Sequence, residues 1–244
     1  MRNIKITIEY DGTNYIGWQK QNNGISIQSK IEEAIFKATG DKVNLTGSGR
    51  TDGRVHARGQ VANFYTKSSI PGEKFKSALN RKLPWDIVII ESEEVDLNFH
   101  SRYDAIAKEY SYLIYNNTTR SPLYRNYSYY VPYVLDFEKM EKGTEYFLGT
   151  HDFISFAGSK NSLEDTRRTI NSIALEKCGY FIKLKIEGNG FLYNMVRIIA
   201  GTLIDIGRGR IQPEDIPKII NCKDRKAAGR TAAAQGLYLE KVYY

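Results

Sequence analysis

Between Gly190 and Gly207 the chain reads GFLYNMVRIIAGTLIDIG, and no other stretch constrains the fold as tightly. Phe191, Leu192, Met195, Val196, Ile198, Ile199, Leu203 and Ile204 make the predicted helix apolar around most of its circumference. A helix of that kind needs cover on nearly every side. No apolar run in the chain reaches the roughly 18 residues that span a bilayer, so the cover must come from protein. With 244 residues the chain is long enough for one large core or two modest domains. One residue breaks the pattern. Burying Arg197 unpaired would cost several kcal/mol, on the order of 3–5. Arg197 therefore either carries its head to solvent along an apolar stem or reaches a carboxylate in a cleft. A structural pairing accounts for it as well as a functional one.

The remaining elements alternate without a regular strand–helix–strand period. Residues 3 to 9 put Ile4, Ile6 and Ile8 on one face and Asn3, Lys5, Thr7 and Glu9 on the other, the period of a half-buried strand. From Ser26 to Thr39, Ile27, Ile31, Ala34, Ile35 and Ala38 recur at helical spacing, and Gly40 stops them. QVANFY reads as a strand, Glu73 to Lys82 as a short helix, and IVIIE as a strand covered on both faces. KEYSYLIYN is a long strand. Asp136 then caps a helix with the stripe Phe137, Met140, Thr144 and Phe147. RRTINSIALEK and YFIKLKIEG form a hairpin, Pro213 opens a short helix, and GLYLEKVYY is a closing strand. This mixture predicts an α+β fold rather than a doubly wound sheet. A boundary near residue 104 would divide it into halves 1–104 and 105–244, intimately packed because no Pro/Gly/Ser-rich linker separates them.

The densest chemistry lies in GSGRTDGRVHARGQ, residues 47 to 60. It holds one carboxylate, Asp52, among Arg50, Arg54 and Arg58, together with His56. Glycines at 47, 49, 53 and 59 let the backbone turn tightly or approach a ligand closely. Arginine forks match phosphate geometry and could fix a sugar-phosphate backbone. Asp52 could equally bond to an arginine and make the loop a structural knot.

A formal charge of +7 and a pI near 9.2 favour a polyanionic partner. Among eighteen tyrosines, Tyr110 and Tyr112 share one strand face, where aromatics can stack on bases or simply build a core. Arg102 and Lys108 flank them in FHSRYDAIAKEY, and Arg167 and Arg168 lie in DTRRTI. Basic groups interleaved with aromatics fit an RNA or DNA surface without choosing between them. Other classes fall away. GSGR lacks the Gly-Lys-Ser/Thr ending of a phosphate-cradling loop. His56, His100, His151, Cys178 and Cys222 show no local zinc spacing. Paired-carboxylate hydrolysis lacks a second acid near Asp52, since Glu109 precedes Tyr110 on a strand and faces the other way. The opening MRNIKITIEYDG is a strand pattern, not a signal segment, so both cysteines are expected as free thiols in a reducing cytoplasm.

Taken together, YDGTNYIGWQKQ, GSGRTDGRVHARGQV, NFHSRYDAIAKEYSYLIYN, GTHDFISFA, DTRRTI, GFLYNMVRIIAGTLIDIGRG and AQGLYL resemble the bacterial TruA-type tRNA pseudouridine synthases nearly end to end. The resemblance implies two ferredoxin-like (RRM-like) halves with joined antiparallel sheets and a basic cleft, assembled as a homodimer. It implies isomerisation of uridine to pseudouridine in the anticodon stem-loop of tRNA, typically at positions 38, 39 and 40. No cofactor or metal is expected, because the leaving base and the incoming base are one molecule, and neither a membrane nor DNA is an expected partner. The family's catalytic aspartate falls on Asp52, its base-packing tyrosine on Tyr110, and the arginine that pairs with the aspartate on Arg197. Arg50, Arg54, His56, Arg58, Arg102, Arg167 and Arg168 are the expected substrate-binding residues.

The chain departs from the family pattern in three places. Asp52-Gly53-Arg54-Val55-His56-Ala57 replaces the usual Asp-Ala-Gly-Val-His-Ala, so a positive φ at that glycine position would strain Arg54. Leu192-Tyr193-Asn194-Met195 stands where two histidines commonly precede the Met or Gln, and TAAAQGLYL replaces a proline-containing version. A non-catalytic RNA-binding module would be expected to lose Asp52, Tyr110 or Arg197. All three are present.

Overall fold

The computed structural model describes residues 1–22, 24–158 and 165–244. The chain divides into two compact units, Met1–Ile106 with Tyr238–Tyr244, and Ala107–Leu237.

The first unit opens with β1 (Arg2–Tyr10), whose Ile4, Ile6 and Ile8 are wholly buried as the period of two requires. Each contributes about 1.5–3 kcal/mol of burial. Asn3 departs from the polar face read for it. It is buried, but its amide donates to the backbone oxygens of Asp96 and Phe99, both at 2.9 Å, and its Oδ1 accepts from Asn63. A buried amide with such partners is not an orphan. Ser26 caps α1 (Ile27–Thr39), whose Ile27, Ile31, Ala34 and Ile35 point into the core. β2 (Thr46–Gly47) leads to β3 (His56–Thr66). β3 starts earlier than QVANFY suggests because Ala57 already pairs with Tyr10 of β1. A short 3-10 turn then runs into α2 (Phe75–Asn80), and Phe75 meets Phe64 edge-on in the core. β4 (Ile87–Val95) pairs with β1. Its burial alternates, with Ile89 inside and Val88 at 38% exposure, so the cover expected on both faces is found on one.

The second unit runs through β5 (Ala107–Asn116), β6 (Tyr129–Val131), α3 (Phe137–Glu145), β7 (Gly149–Asp152), β8 (Arg167–Cys178) and β9 (Phe181–Gly188). β5, β9, β8 and β7 are successive antiparallel neighbours, and β6 joins β5 in parallel. Next come α4 (Met195–Gly207) and α5 (Ile216–Cys222). α4 is shorter than the 190–207 pattern predicts, because Asn194 takes a left-handed conformation (φ 61°, ψ 5°) and turns the chain just before the helix. Every residue of α4 except Arg197 is buried, as its apolar circumference demands. α3 packs against α4 and β8, enclosing Met140, Thr144 and Phe147, while Phe137 is only partly covered.

The closing strand, β10 (Leu237–Tyr243), pairs in parallel with β3, Tyr238 opposite His56 and Leu239 opposite Ala57. Residues 238–244 therefore belong to the first unit, not to a half running from 105 to 244. A parallel neighbour requires a long crossover, and the intervening second unit supplies one. With β3–β10 and β5–β6 parallel, the sheets are mixed rather than antiparallel. The α+β class holds. No helix of the described residues is long and apolar enough to cross a membrane.

Candidate functional site

Asp52 lies in the first unit, on a loop clamped by the segment that follows β1. Gly17 and Asp52 form an isolated antiparallel bridge. The N–H of Trp18 donates to Thr51 O at 3.0 Å, that of Arg54 to Tyr15 O at 3.3 Å, and that of Val55 to Asp52 O at 3.2 Å. Backbone meets backbone here, most closely where glycine leaves out a Cβ. A Cβ on Gly12 would overlap the carbonyl of Val55, and one on Gly17 (φ 122°) would lie 2.5 Å from Thr51 O. YDGTNYIGW is therefore half of the clamp rather than a connector. From below, the buried Tyr10 hydroxyl hydrogen-bonds Thr51 Oγ1 at 2.7 Å, and burial pushes this phenol well above its ordinary pKa. Ser48 Oγ donates to Gln60 Oε1 at 2.6 Å, and Gln60 Nε2 to Gly49 O at 3.0 Å. Hydrogen bonds thus fix the loop backbone on both sides of Asp52.

His56 lies beneath the loop. Its ring is 2% exposed and stacks on Tyr238 with centroids 4.8 Å apart, so it supports the loop from inside. Its Nδ1 is 3.1 Å from both Gly12 N and Asp11 Oδ1. One nitrogen cannot accept from the first and donate to the second. The amide N–H of Gly12 can only donate, and Asp11 Oδ1 already accepts from Thr13 N and Oγ1. Nδ1 is accordingly the acceptor, and the His56–Asp11 approach is not an ion pair.

The basic residues differ in how far protein partners occupy them. Arg50 and Arg54 are exposed in the Asp52 loop, and Arg54 holds a left-handed φ of 67°, which confirms the strain its departure from glycine implied. Arg58 pairs with Glu240 Oε1 at 2.6 Å and covers the Tyr238 ring at 4.6 Å, so part of its charge is already answered. Arg102 is exposed, with its guanidinium 5.7 Å from the Tyr103 ring centre. In the second unit Arg167 is exposed, while Arg168 Nη1 donates to the backbone oxygens of Asp165 (3.1 Å) and Arg167 (2.6 Å).

Tyr110 and Arg197 belong to the second unit. Tyr110 is 9% exposed on β5 and meets Phe191 edge-to-face at 5.2 Å. Its neighbour Tyr112 is a core residue: its hydroxyl donates to Ala233 O at 2.6 Å, and burial drives its phenol pKa up. Arg197 is part-buried. Its Nε donates to Ala232 O and its Nη1 to Asn194 Oδ1, both at 2.8 Å, and Ala232 N–H returns a bond to Arg197 O at 3.0 Å. In the sequence Asn194 and the alanines near 232 stood out only as departures from a family pattern. The helical spacing of Asn194 and Arg197 was the one available hint that they touch.

Comparison with known proteins agrees with this arrangement of motifs. The family profile described as tRNA pseudouridine synthase matches residues 6–104 and 144–244. The chain is 57% identical over 244 residues to tRNA pseudouridine synthase A of Acetivibrio thermocellus, covering all of both chains. It is 53% identical over 245 residues to tRNA pseudouridine synthase A 2 of Clostridium tetani, covering 100% of this chain and 99% of that one. It is also 53% identical to tRNA pseudouridine synthase A of Caldicellulosiruptor bescii, again over the full length of both. The chain belongs to the tRNA pseudouridine synthase A family, isomerases that convert uridine in tRNA to pseudouridine.

Proposed function

We propose that this isomerase acts on the anticodon stem-loop, at positions 38, 39 and 40, as a cytoplasmic homodimer whose chains each carry two ferredoxin-like halves. Asp52 is the catalytic carboxylate, Arg197 pairs with it, and Tyr110 packs against the target base. The observation that carries the reading is full-length identity of 57% to a named synthase in a chain that retains all three residues.

The chemistry is a closed exchange. The C1′–N1 glycosidic bond breaks, the detached uracil turns, and C5 bonds to C1′. The proton lost from C5 is balanced by one gained at N1, so no oxidant, reductant or cofactor is consumed. The target nucleotide must first leave its stack, at a cost of a few kcal/mol. Phosphate contacts offset that cost. Arg50, Arg54, Arg102 and Arg167 are the exposed candidates, with Arg58 and Arg168 weaker ones because protein groups already engage them. Each phosphate contact contributes roughly 0.7–0.9 to the slope of log affinity against log salt.

The deciding experiment incubates the protein with unmodified tRNA and maps pseudouridine at single-nucleotide resolution. Product confined to positions 38–40 supports the assignment, and product elsewhere in the tRNA rejects it. A monomeric sedimentation profile at working concentration would reject the dimer.

A further inference from the structure

We infer that Asn194 is a positioning residue for Arg197, spending its side chain on aiming the guanidinium instead of on capping helix α4. This rests on the catalytic reading of Arg197 given above. Asn194 occupies the N-cap position of α4, where an Asn side chain ordinarily accepts a backbone N–H from the first turn. It makes no such bond. Its backbone instead sits at φ 61°, ψ 5°, the left-handed region that asparagine enters more readily than other non-glycine residues. In that conformation Oδ1 accepts from Arg197 Nη1 at 2.8 Å, three residues along the chain. A forgone cap thus coincides with one charge-assisted hydrogen bond.

The surroundings hold the amide in place. Gly158 N–H donates to Tyr193 O at 2.7 Å, and a Cβ on Gly158 would lie 2.5 Å from Tyr193 Cδ1 and 3.1 Å from Asn194 Nδ2. Gly158 therefore lets a second backbone press against the turn. On its other side the guanidinium is fixed by Nε to Ala232 O at 2.8 Å. Two donors on different edges of a planar group, each with its own acceptor, define both its position and its plane.

The test compares Asn194→Gly, Asn194→Asp and Arg197→Ala by steady-state turnover on unmodified tRNA, with melting temperatures measured alongside. Glycine suits the left-handed backbone and removes only the acceptor, so Asn194→Gly should melt no lower than wild type. Its kcat should fall about tenfold, the loss expected for one hydrogen bond to a charged group, while KM stays within about twofold. Asn194→Asp keeps an acceptor and tolerates the same backbone, but its carboxylate competes with Asp52 for the guanidinium, so its kcat should fall as well. Full turnover by Asn194→Gly beside an inactive Arg197→Ala would overturn the positioning role and leave Arg197 catalytic. Substantial turnover by Arg197→Ala would instead bring down the catalytic reading and this inference with it.

Discussion

The loop that carries Asp52 and the turn that carries Arg197 are built on opposite principles. Around Asp52 the constraint is backbone against backbone: Thr51, Asp52 and Arg54 are tied to Tyr15, Gly17 and Trp18 through main-chain groups, with glycine opening the space. Around Arg197 the constraint reaches the side chain itself, through Asn194 Oδ1 and Ala232 O. A carboxylate one carbon from its backbone has two torsions left to set once the backbone is fixed. A guanidinium at the end of a long flexible stem has more, and its head needs acceptors of its own. Both regions contain a non-glycine residue in the left-handed conformation, Arg54 and Asn194. Asparagine tolerates that region because its short polar side chain can bond locally. Arginine has no such compensation.

Each side of this contrast can be broken separately. The largest effect is expected from Asp52→Asn, which keeps the loop's main-chain bonds and removes only the charge. Turnover should vanish while the melting temperature stays within about 2 °C of wild type, a shift of under about 1 kcal/mol. A large drop in melting temperature would show that the carboxylate holds the loop as well as serving in it. Gly17→Ala comes next, because its Cβ would meet Thr51 O at 2.5 Å in a backbone at φ 122°. We expect about 2–4 kcal/mol of destabilisation and a loss of activity from the displaced Asp52. Wild-type melting and turnover in this variant would show that the clamp yields.

Arg54→Gly should act in the opposite direction. Relieving the left-handed strain stabilises by about 1–2 kcal/mol, raising the melting temperature by about 2–4 °C per kcal/mol for a chain of this size. If the exposed guanidinium also touches phosphate, tRNA affinity falls in the same variant and its salt slope shrinks. An unchanged melting curve would mean that the loop absorbs the left-handed residue without strain. The smallest effect belongs to the other side. Ala233, at φ −62° and ψ 145°, already holds a proline-compatible backbone beside the carbonyl that receives Arg197. Ala233→Pro should stabilise by about 0.5 kcal/mol with turnover unchanged. Lost turnover would show that Ala232 O needs freedom to adjust.

The local elements were legible in the sequence wherever one period ruled alone. Ile4, Ile6 and Ile8 announced β1, the stripe from Ile27 to Ala38 announced α1, and the apolar circumference of α4 placed it in a core, because those patterns reflect burial directly. The GRTD loop, the arginine in an apolar helix and the tyrosine strand were legible only as candidates, each with a structural reading beside the chemical one, and the family resemblance gave them their expected roles. Three things were decided only by tertiary structure. β10 joined the first unit because Tyr238 and Leu239 found β3, a pairing between residues far apart in the chain. His56 turned inward because Gly12 and Tyr238 met it from distant segments. α4 began at Met195 because Asn194 took a conformation whose compensating contacts lie with Arg197 and, through Tyr193, with Gly158. Periodicity records which face of a segment is buried, and it is silent about which distant group will meet that face.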